Sequence, residues 1–141
     1  MISIEFYSDA FPEIPSQSLI DTTPVLIVDE GCVLGDITFV FCSDEELLGV
    51  NKEFLNHDYY TDIITFDYSE GSVISGDLFI SIDRVKENAL SFNVQITEEL
   101  HRVAFHGVLH LLGYNDKTEA EVIIMRSKEN HYLNKLFHVK H

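Results

Sequence analysis

The sequence predicts an α+β layered domain, and three observations carry that prediction. Strand-like segments dominate the first half, two capping boxes mark helix starts, and a nearly uninterrupted apolar helix lies late in the chain. The helices are interspersed among the strands, so the elements must bury their apolar faces against one another in layers.

The opening ISIEFYS alternates apolar and polar residues as a half-buried strand does, and Ile37 to Cys42, ITFVFC, is a β-branched and aromatic run of strand length. The two are expected to pair in one sheet. Between them, TTPVLIVDEG has the β-branched content of a strand, yet Thr23, Pro24 and Gly31 suit an N-cap, a first-turn proline and a C-cap glycine, which favours a short helix. Ser43 and Glu46 make a capping box, and Leu47, Val50 and Phe54 recur at helical spacing, so Ser43 to Leu55 reads as a helix ending in the polar loop LNHDYY. DIITFD and DLFISI follow as strands, separated by the turn-rich SEGSVISG, which suits a hairpin or a longer loop. A helix over about Asp83 to Phe92 comes next. Thr97 is expected to cap the apolar helix EELHRVAFHGVLHLL, with Gly113 as its left-handed terminator. Thr118 and Glu121 form the second capping box and start an amphipathic helix carrying Val122, Met125, Glu129, Leu133 and Leu136.

At 141 residues and 45% apolar composition, one domain spanning 1–141 has enough side chains for a real core. No repeat or linker divides it. Cys32 and Cys42 lack metal-type spacing and read as reduced thiols of a cytoplasmic protein. No basic n-region opens the chain, and no apolar run approaches the ~18 residues a membrane span needs. No membrane association is expected. The formal charge of −15 argues against a generic nucleic-acid coat, because attraction to phosphates needs a surplus of Lys and Arg. That charge is uneven: residues 1–51 hold ten carboxylates and no Lys or Arg, whereas residues 101–141 hold six cations against four carboxylates. Any binding to nucleic acid should therefore be weak, local and salt-sensitive.

The chemistry concentrates in HGVLHLLGYND. His106 and His110 are four apart on a helix, which places them about 40° apart on one face and one turn displaced, so two imidazoles can reach one metal. A chain reversal at Gly113 can swing Asp116 over the same face. Three protein ligands with an open fourth position suit a catalytic zinc site, where a water occupies the vacancy. Two neighbouring imidazoles buried without ligation or hydrogen bonds would be costly. The spacing is shared with metzincin proteases, but Gly107 occupies the place of their general-base Glu, which disfavours a metallopeptidase. Gly107 also suits close packing of a neighbouring strand or helix.

These residues resemble the YbeY-type bacterial endoribonucleases that mature small-subunit ribosomal RNA, with signature H-G-x-L-H-L-x-G-Y-D-H. His106, Gly107, Leu109, His110, Leu111, Gly113 and Tyr114 match it, while Asn115 replaces an Asp and Asp116 replaces the third metal-binding His. A carboxylate is a competent zinc ligand and makes the site harder and less positive. The resemblance extends to Asn51–Phe54, to Thr61–Phe66 and to Gly76–Ser81, although Leu55 stands where the family has an Arg implicated in cleavage. Arg102 is a candidate substitute. The resemblance implies a zincin-like α+β fold, with a mixed four-stranded sheet packed against helices and the histidines on a buried helix. It places TTPVLIVDEG in a helix between the first two strands.

The function it implies is metal-dependent cleavage of single-stranded RNA, in maturing the 3′ end of small-subunit ribosomal RNA. One divalent ion, Zn2+ foremost, would be held by His106, His110 and Asp116. Asp62 either orients a water or a ligating histidine, or simply caps a strand end. Tyr114 is expected to pack beside the ligand loop. The implied partners are single-stranded ribosomal RNA and the small subunit, with no DNA and no membrane. A ribosome-assembly factor with a purely structural metal is the alternative from another class, and a two-His-one-carboxylate iron oxygenase is remote. His57 and His101 read as surface residues, with His101 about 140° from His106 around the helix, and His138 and His141 as tail residues.

Overall fold

The computed structural model describes residues 1–6, 17–57 and 61–137. Tyr7 and Ser8 of the first strand segment, Asp58–Tyr60 of the polar loop, and His138 and His141 lie outside the described residues. The elements run β1 (Ile2–Phe6), α1 (Gln17–Asp29), β2 (Val33–Cys42), α2 (Asp44–Leu55), β3 (Ile63–Asp67), β4 (Val73–Ser81), α3 (Ile82–Phe92), α4 (Ile96–Leu111) and α5 (Glu119–Tyr132). A π-helical turn, Leu133–Phe137, extends α5. The strands form one mixed sheet in the order β1-β2-β4-β3. β1 and β4 flank β2 in parallel, and β3 closes the edge antiparallel to β4. This is the α+β architecture expected from the sequence.

The pleat sorts the sheet's side chains between two layers. Ile37, Phe39 and Phe41 of β2 and Leu78 and Ile80 of β4 join the main core with Leu19, Leu26 and Ile27 of α1 and Phe105, Val108 and Leu109 of α4. A second cluster of Cys42, Leu47, Val50 and Ile64 lies with Phe66 and Phe79 beneath α2. The central strands are covered on both faces, which is why ITFVFC is apolar without alternation.

Both capping boxes form. Ser43 Oγ accepts the Glu46 backbone N–H and Thr118 Oγ1 that of Glu121, each Glu side chain accepting the cap residue's N–H in return. Elsewhere the helix ends differ from expectation. Among described residues α1 already begins at Gln17, and Pro24 sits in mid-helix instead of the first turn. An internal proline costs about 3 kcal/mol. The stripe Leu19, Thr22, Thr23, Leu26 and Ile27 is buried along its length, so packing on the sheet outweighs that cost. Gln95, not Thr97, occupies the N-cap of α4 and makes no side-chain cap bond. The α3–α4 connection is tight, with α3 ending at left-handed Asn93, and packing sets where α4 starts. On α2, Asn51 rather than Phe54 completes the buried stripe; Phe54 is 63% exposed and meets Phe66 edge-on at 6.1 Å.

His101 corrects a further expectation. It is fully buried, its Nδ1–H donating to the Thr97 carbonyl at 2.6 Å and its Nε2 accepting from Ser18 Oγ at 2.8 Å. Its ring stacks on Phe137 at 4.1 Å. The side of α4 that carries His101 is covered by α1 and the π-turn, through Ser18 and Phe137. Burial, opposed by the Thr97 bond, pushes the His101 imidazole below the ordinary histidine range.

Candidate metal centre

Helix α4 lies across β3 and β4, and Gly107 permits that contact. A Cβ at position 107 would stand 2.5 Å from Ile63 Cδ1 and 3.2 Å from Leu78 Cδ2. The place of the protease Glu is thus filled by the sheet. The same docking turns Glu99, Arg102, His106 and His110, spaced i, i+3, i+7 and i+11, to one side of the helix. Glu99 is buried, whereas both histidines of the pair remain partly open.

The turn after α4 brings in the third group. Gly113 adopts φ +102°, which a side chain resists, and the Gly113 and Tyr114 N–H groups donate back to the carbonyls of His110 and Leu109, both at 3.0 Å. Tyr114 then anchors the loop: its hydroxyl donates to Glu30 Oε1 at 2.6 Å, and Lys128 holds the other Glu30 oxygen at 3.0 Å. Burial would raise the Glu30 carboxyl, but the bonds from Tyr114, Tyr132 and Lys128 outweigh it and hold it low. Tyr114 is therefore a packed and hydrogen-bonded strut of the ligand loop. Asp116 arrives with Oδ2 at 3.2 Å from His106 Nε2 and 3.5 Å from His110 Nε2, and the two Nε2 atoms are 3.0 Å apart.

Ligand atoms at about 2.0–2.1 Å from a tetrahedral ion lie about 3.3 Å from one another, so these separations are those of a three-ligand face. His106, His110 and Asp116 could hold a metal ion between them. Their surroundings favour positive charge. Burial lowers the His106 imidazole's proton affinity, but Glu129, Asp116 and Asp62 together outweigh it and leave the group above its ordinary range. The set of two imidazoles and a carboxylate suits zinc and its neighbours in the first transition row.

Glu129 is the residue that spacing alone missed. Its Oε2 accepts the His106 Nδ1–H at 2.7 Å, and its Oε1 accepts from Arg102 Nη1 at 3.0 Å. The Nδ1 proton leaves the Nε2 lone pair facing the site, the arrangement by which a carboxylate fixes a metal-ligating histidine. Burial would push the Glu129 carboxyl up, but the His106 bond and then Arg102 and Arg126 hold it below its ordinary range. The available signal was a carboxylate at a core position of the α5 stripe, between Met125 and Leu133.

Asp62 stands at the entrance to β3, and its backbone carbonyl accepts the Ser81 N–H at 2.9 Å. Its side chain lines the same cleft as His106 and Asp116, so the strand-end position and proximity to the histidines coexist. Burial raises its carboxyl, with His106 pulling the other way. Arg102 also lines the cleft, bonded to Glu129 and, at 2.8 Å, to Asn130 Oδ1. Leu55 and His57 are exposed at the end of α2 and do not line it.

Comparison with known proteins bears on the family and the fold. Residues 8–137 match the family model described as Endoribonuclease YbeY. The chain is 49% identical over 140 residues to an Endoribonuclease YbeY of Flavobacterium psychrophilum, covering 99% of each. It is 58% identical over 97 residues to one of Bacteroides fragilis, covering 69% of this chain and 70% of that protein. Its fold is similar to the solution structure of TM1509 from Thermotoga maritima, with a TM-score of 0.71 and 26% identity over 97% of this chain and 89% of that one. With the family model matched across nearly the whole chain and full-length relatives near half identity, the protein belongs to the YbeY endoribonuclease family.

Proposed function

We propose that the protein is a metal-dependent endoribonuclease that cuts single-stranded RNA in maturing the 3′ end of small-subunit ribosomal RNA. The observation that carries this reading is the convergence of His106 Nε2, His110 Nε2 and Asp116 Oδ2 within 3.5 Å, with Glu129 fixing the His106 tautomer. Family membership supplies the reaction class, hydrolysis of RNA. These three residues would hold one divalent ion, zinc foremost, which supplies Lewis acidity at the phosphoryl group and acidifies water towards a pKa of about 7.

The chain's own groups do the rest. Arg102 and Arg126 flank the cleft and offset phosphodiester charge, the role that Leu55 cannot fill. Asp62 lines the same cleft, where its carboxylate would orient a water or a ligating histidine. Gly107 carries no base, and a Cβ there would press on Ile63 and Leu78, so a peptidase-type general base is absent from that position. Among the described residues no helix is long and apolar enough to cross a membrane, and Cys32 and Cys42 are free. Action on ribosomal RNA would place the protein in the cytoplasm.

The test compares metal-loaded and stripped protein, and His110→Ala, on single-stranded RNA from the small subunit. Metal-dependent cutting that His110→Ala abolishes is expected. RNA binding without cutting by the folded, metal-loaded parent would overturn the nuclease reading in favour of an assembly factor.

A further inference from the structure

The cleft extends beyond the histidines. It encloses about 270 Å³, and three helices present matched stripes to it: Asn88 and Phe92 from α3, Glu99, Arg102 and His106 from α4, and Val122, Met125, Arg126 and Glu129 from α5. Glu99 precedes His106 by seven residues, two helical turns, so it lies about 10 Å along α4 from the ligand face. That is too far for contact with a reacting phosphate and suits contact with the base of a neighbouring nucleotide.

We infer that this arm of the cleft is a subsite for one unpaired guanine of the RNA substrate, stacked against Phe92 at the mouth and read by Asn88 and Glu99 at the floor. The inference rests on the RNA-hydrolase reading above and adds a binding site to it.

Phe92 ends α3 with 60% of its surface exposed although it lines a cleft, and Val122, 47% exposed, lines it from α5. An open aromatic wall beside a nuclease centre is what base stacking uses, since every base offers a π-face. The floor supplies discrimination. Glu99 is only 4% exposed, and its carboxylate accepts from Asn88. It faces Arg102 on its own helix, Arg126 of α5 and Asp62 at the start of β3. Burial, ahead of the pull of Arg102, pushes its carboxyl up to about 7. The fold has no need of such a group, because an apolar side chain there would avoid the desolvation cost. The second N–H of the Asn88 amide remains a donor, and with the carboxyl ionised, above about pH 7, the Glu99 oxygens remain acceptors. A donor beside two acceptors complements the guanine edge, whose O6 accepts and whose N1–H and N2–H₂ donate. Uracil reverses one of these pairings, and inosine lacks the N2 amino group.

The experiment uses the full-length, zinc-loaded protein and fluorescence anisotropy with short oligouridylates carrying one guanosine, inosine or adenosine. The guanosine strand is expected to bind about tenfold more tightly than the inosine strand, the effect of one charge-assisted hydrogen bond. Phe92→Ala, at an exposed position that the fold tolerates, should weaken every strand at least fivefold. Glu99→Gln should erase the guanosine preference while zinc uptake stays at the parental value and the unfolding midpoint does not fall. Equal affinity for all three strands, or a Phe92→Ala protein that binds like the parent, overturns the subsite while leaving cleavage of RNA intact. A parent that neither binds nor cuts any single strand overturns the RNA-hydrolase reading and the subsite together.

Discussion

Replacing Glu129 with Gln tests how the site is tuned without changing a ligand or a volume. The carboxylate satisfies two donors at once, His106 Nδ1–H at 2.7 Å and Arg102 Nη1 at 3.0 Å. A primary amide cannot do so. With its NH₂ towards Arg102, two donors oppose each other beside a guanidinium that is itself largely buried. With its NH₂ towards His106, Nδ1 must become an acceptor, which moves the imidazole proton to Nε2 and removes the lone pair from the site. Either arrangement forfeits one charge-assisted hydrogen bond, about 1.5–3 kcal/mol. Part of that loss falls on folding stability, and the part that depends on the tautomer falls on metal binding. Loss of such an orienting carboxylate typically weakens metal affinity about 10- to 100-fold, a change of about 1.4–2.7 kcal/mol. The expected result is therefore zinc affinity reduced by that factor in competition with a chromogenic chelator, with imidazole nitrogen NMR showing a shifted His106 tautomer in the metal-free protein. A folded Glu129→Gln protein with zinc affinity within about twofold of the parent would refute the reasoning.

Gly107→Ala sets an overpacking cost of about 1–3 kcal/mol, from a Cβ 2.5 Å from Ile63 Cδ1, against a helix-propensity gain of about 1 kcal/mol. Chemical denaturation should show a net loss of about 0–2 kcal/mol. Gly107→Glu should cost about 4 kcal/mol or more and confer no peptidase activity; a parental denaturation midpoint for that variant would contradict the packing account. The depressed His101 imidazole ties stability to pH. The unfolded chain binds the proton more tightly, so this contribution is intact above the ordinary value of 6.5 and is lost as pH falls from there towards the folded-state value. Denaturation midpoints should fall over that window, and His101→Gln should lack this component; an unchanged pH profile in the variant would show that His101 is not its source. Lys128 and Lys135 pair with Glu30 and Asp29 and do not line the cleft, whereas Arg102 and Arg126, both beside Glu129, do. Single-strand affinity should then fall with salt at a log–log slope of about −1.4, roughly −0.7 for each phosphate contact. A slope several times steeper would require a larger basic surface elsewhere on the protein.

Much of the site was legible because its determinants are local. The i, i+4 spacing of His106 and His110 and the glycine three residues later dictate a face and a reversal whatever the rest of the chain does. The capping boxes at Ser43 and Thr118 likewise close within one turn. The elements that departed from the sequence-based expectation are those whose outcome depends on a distant partner. Pro24 lies within α1 because that helix's buried stripe packs on the sheet, and a local rule cannot weigh that burial against the proline's cost. His101 reads as a surface residue until α1 and the π-turn cover its side of α4. Glu129 is one more polar residue on an amphipathic helix until α5 crosses α4 and sets its carboxylate against His106, across 23 residues of chain.

The sequence by itself determined the secondary-structure alphabet, the α+β class and the spacing of two histidines and an aspartate, because backbone dihedrals, caps and helical periodicity act over a few residues. Tertiary structure alone decided the strand order β1-β2-β4-β3, the tautomer that Glu129 imposes on His106, and the cleft where α3, α4 and α5 meet. Those features are set by which faces exclude water together, and that depends on the packing of the whole chain.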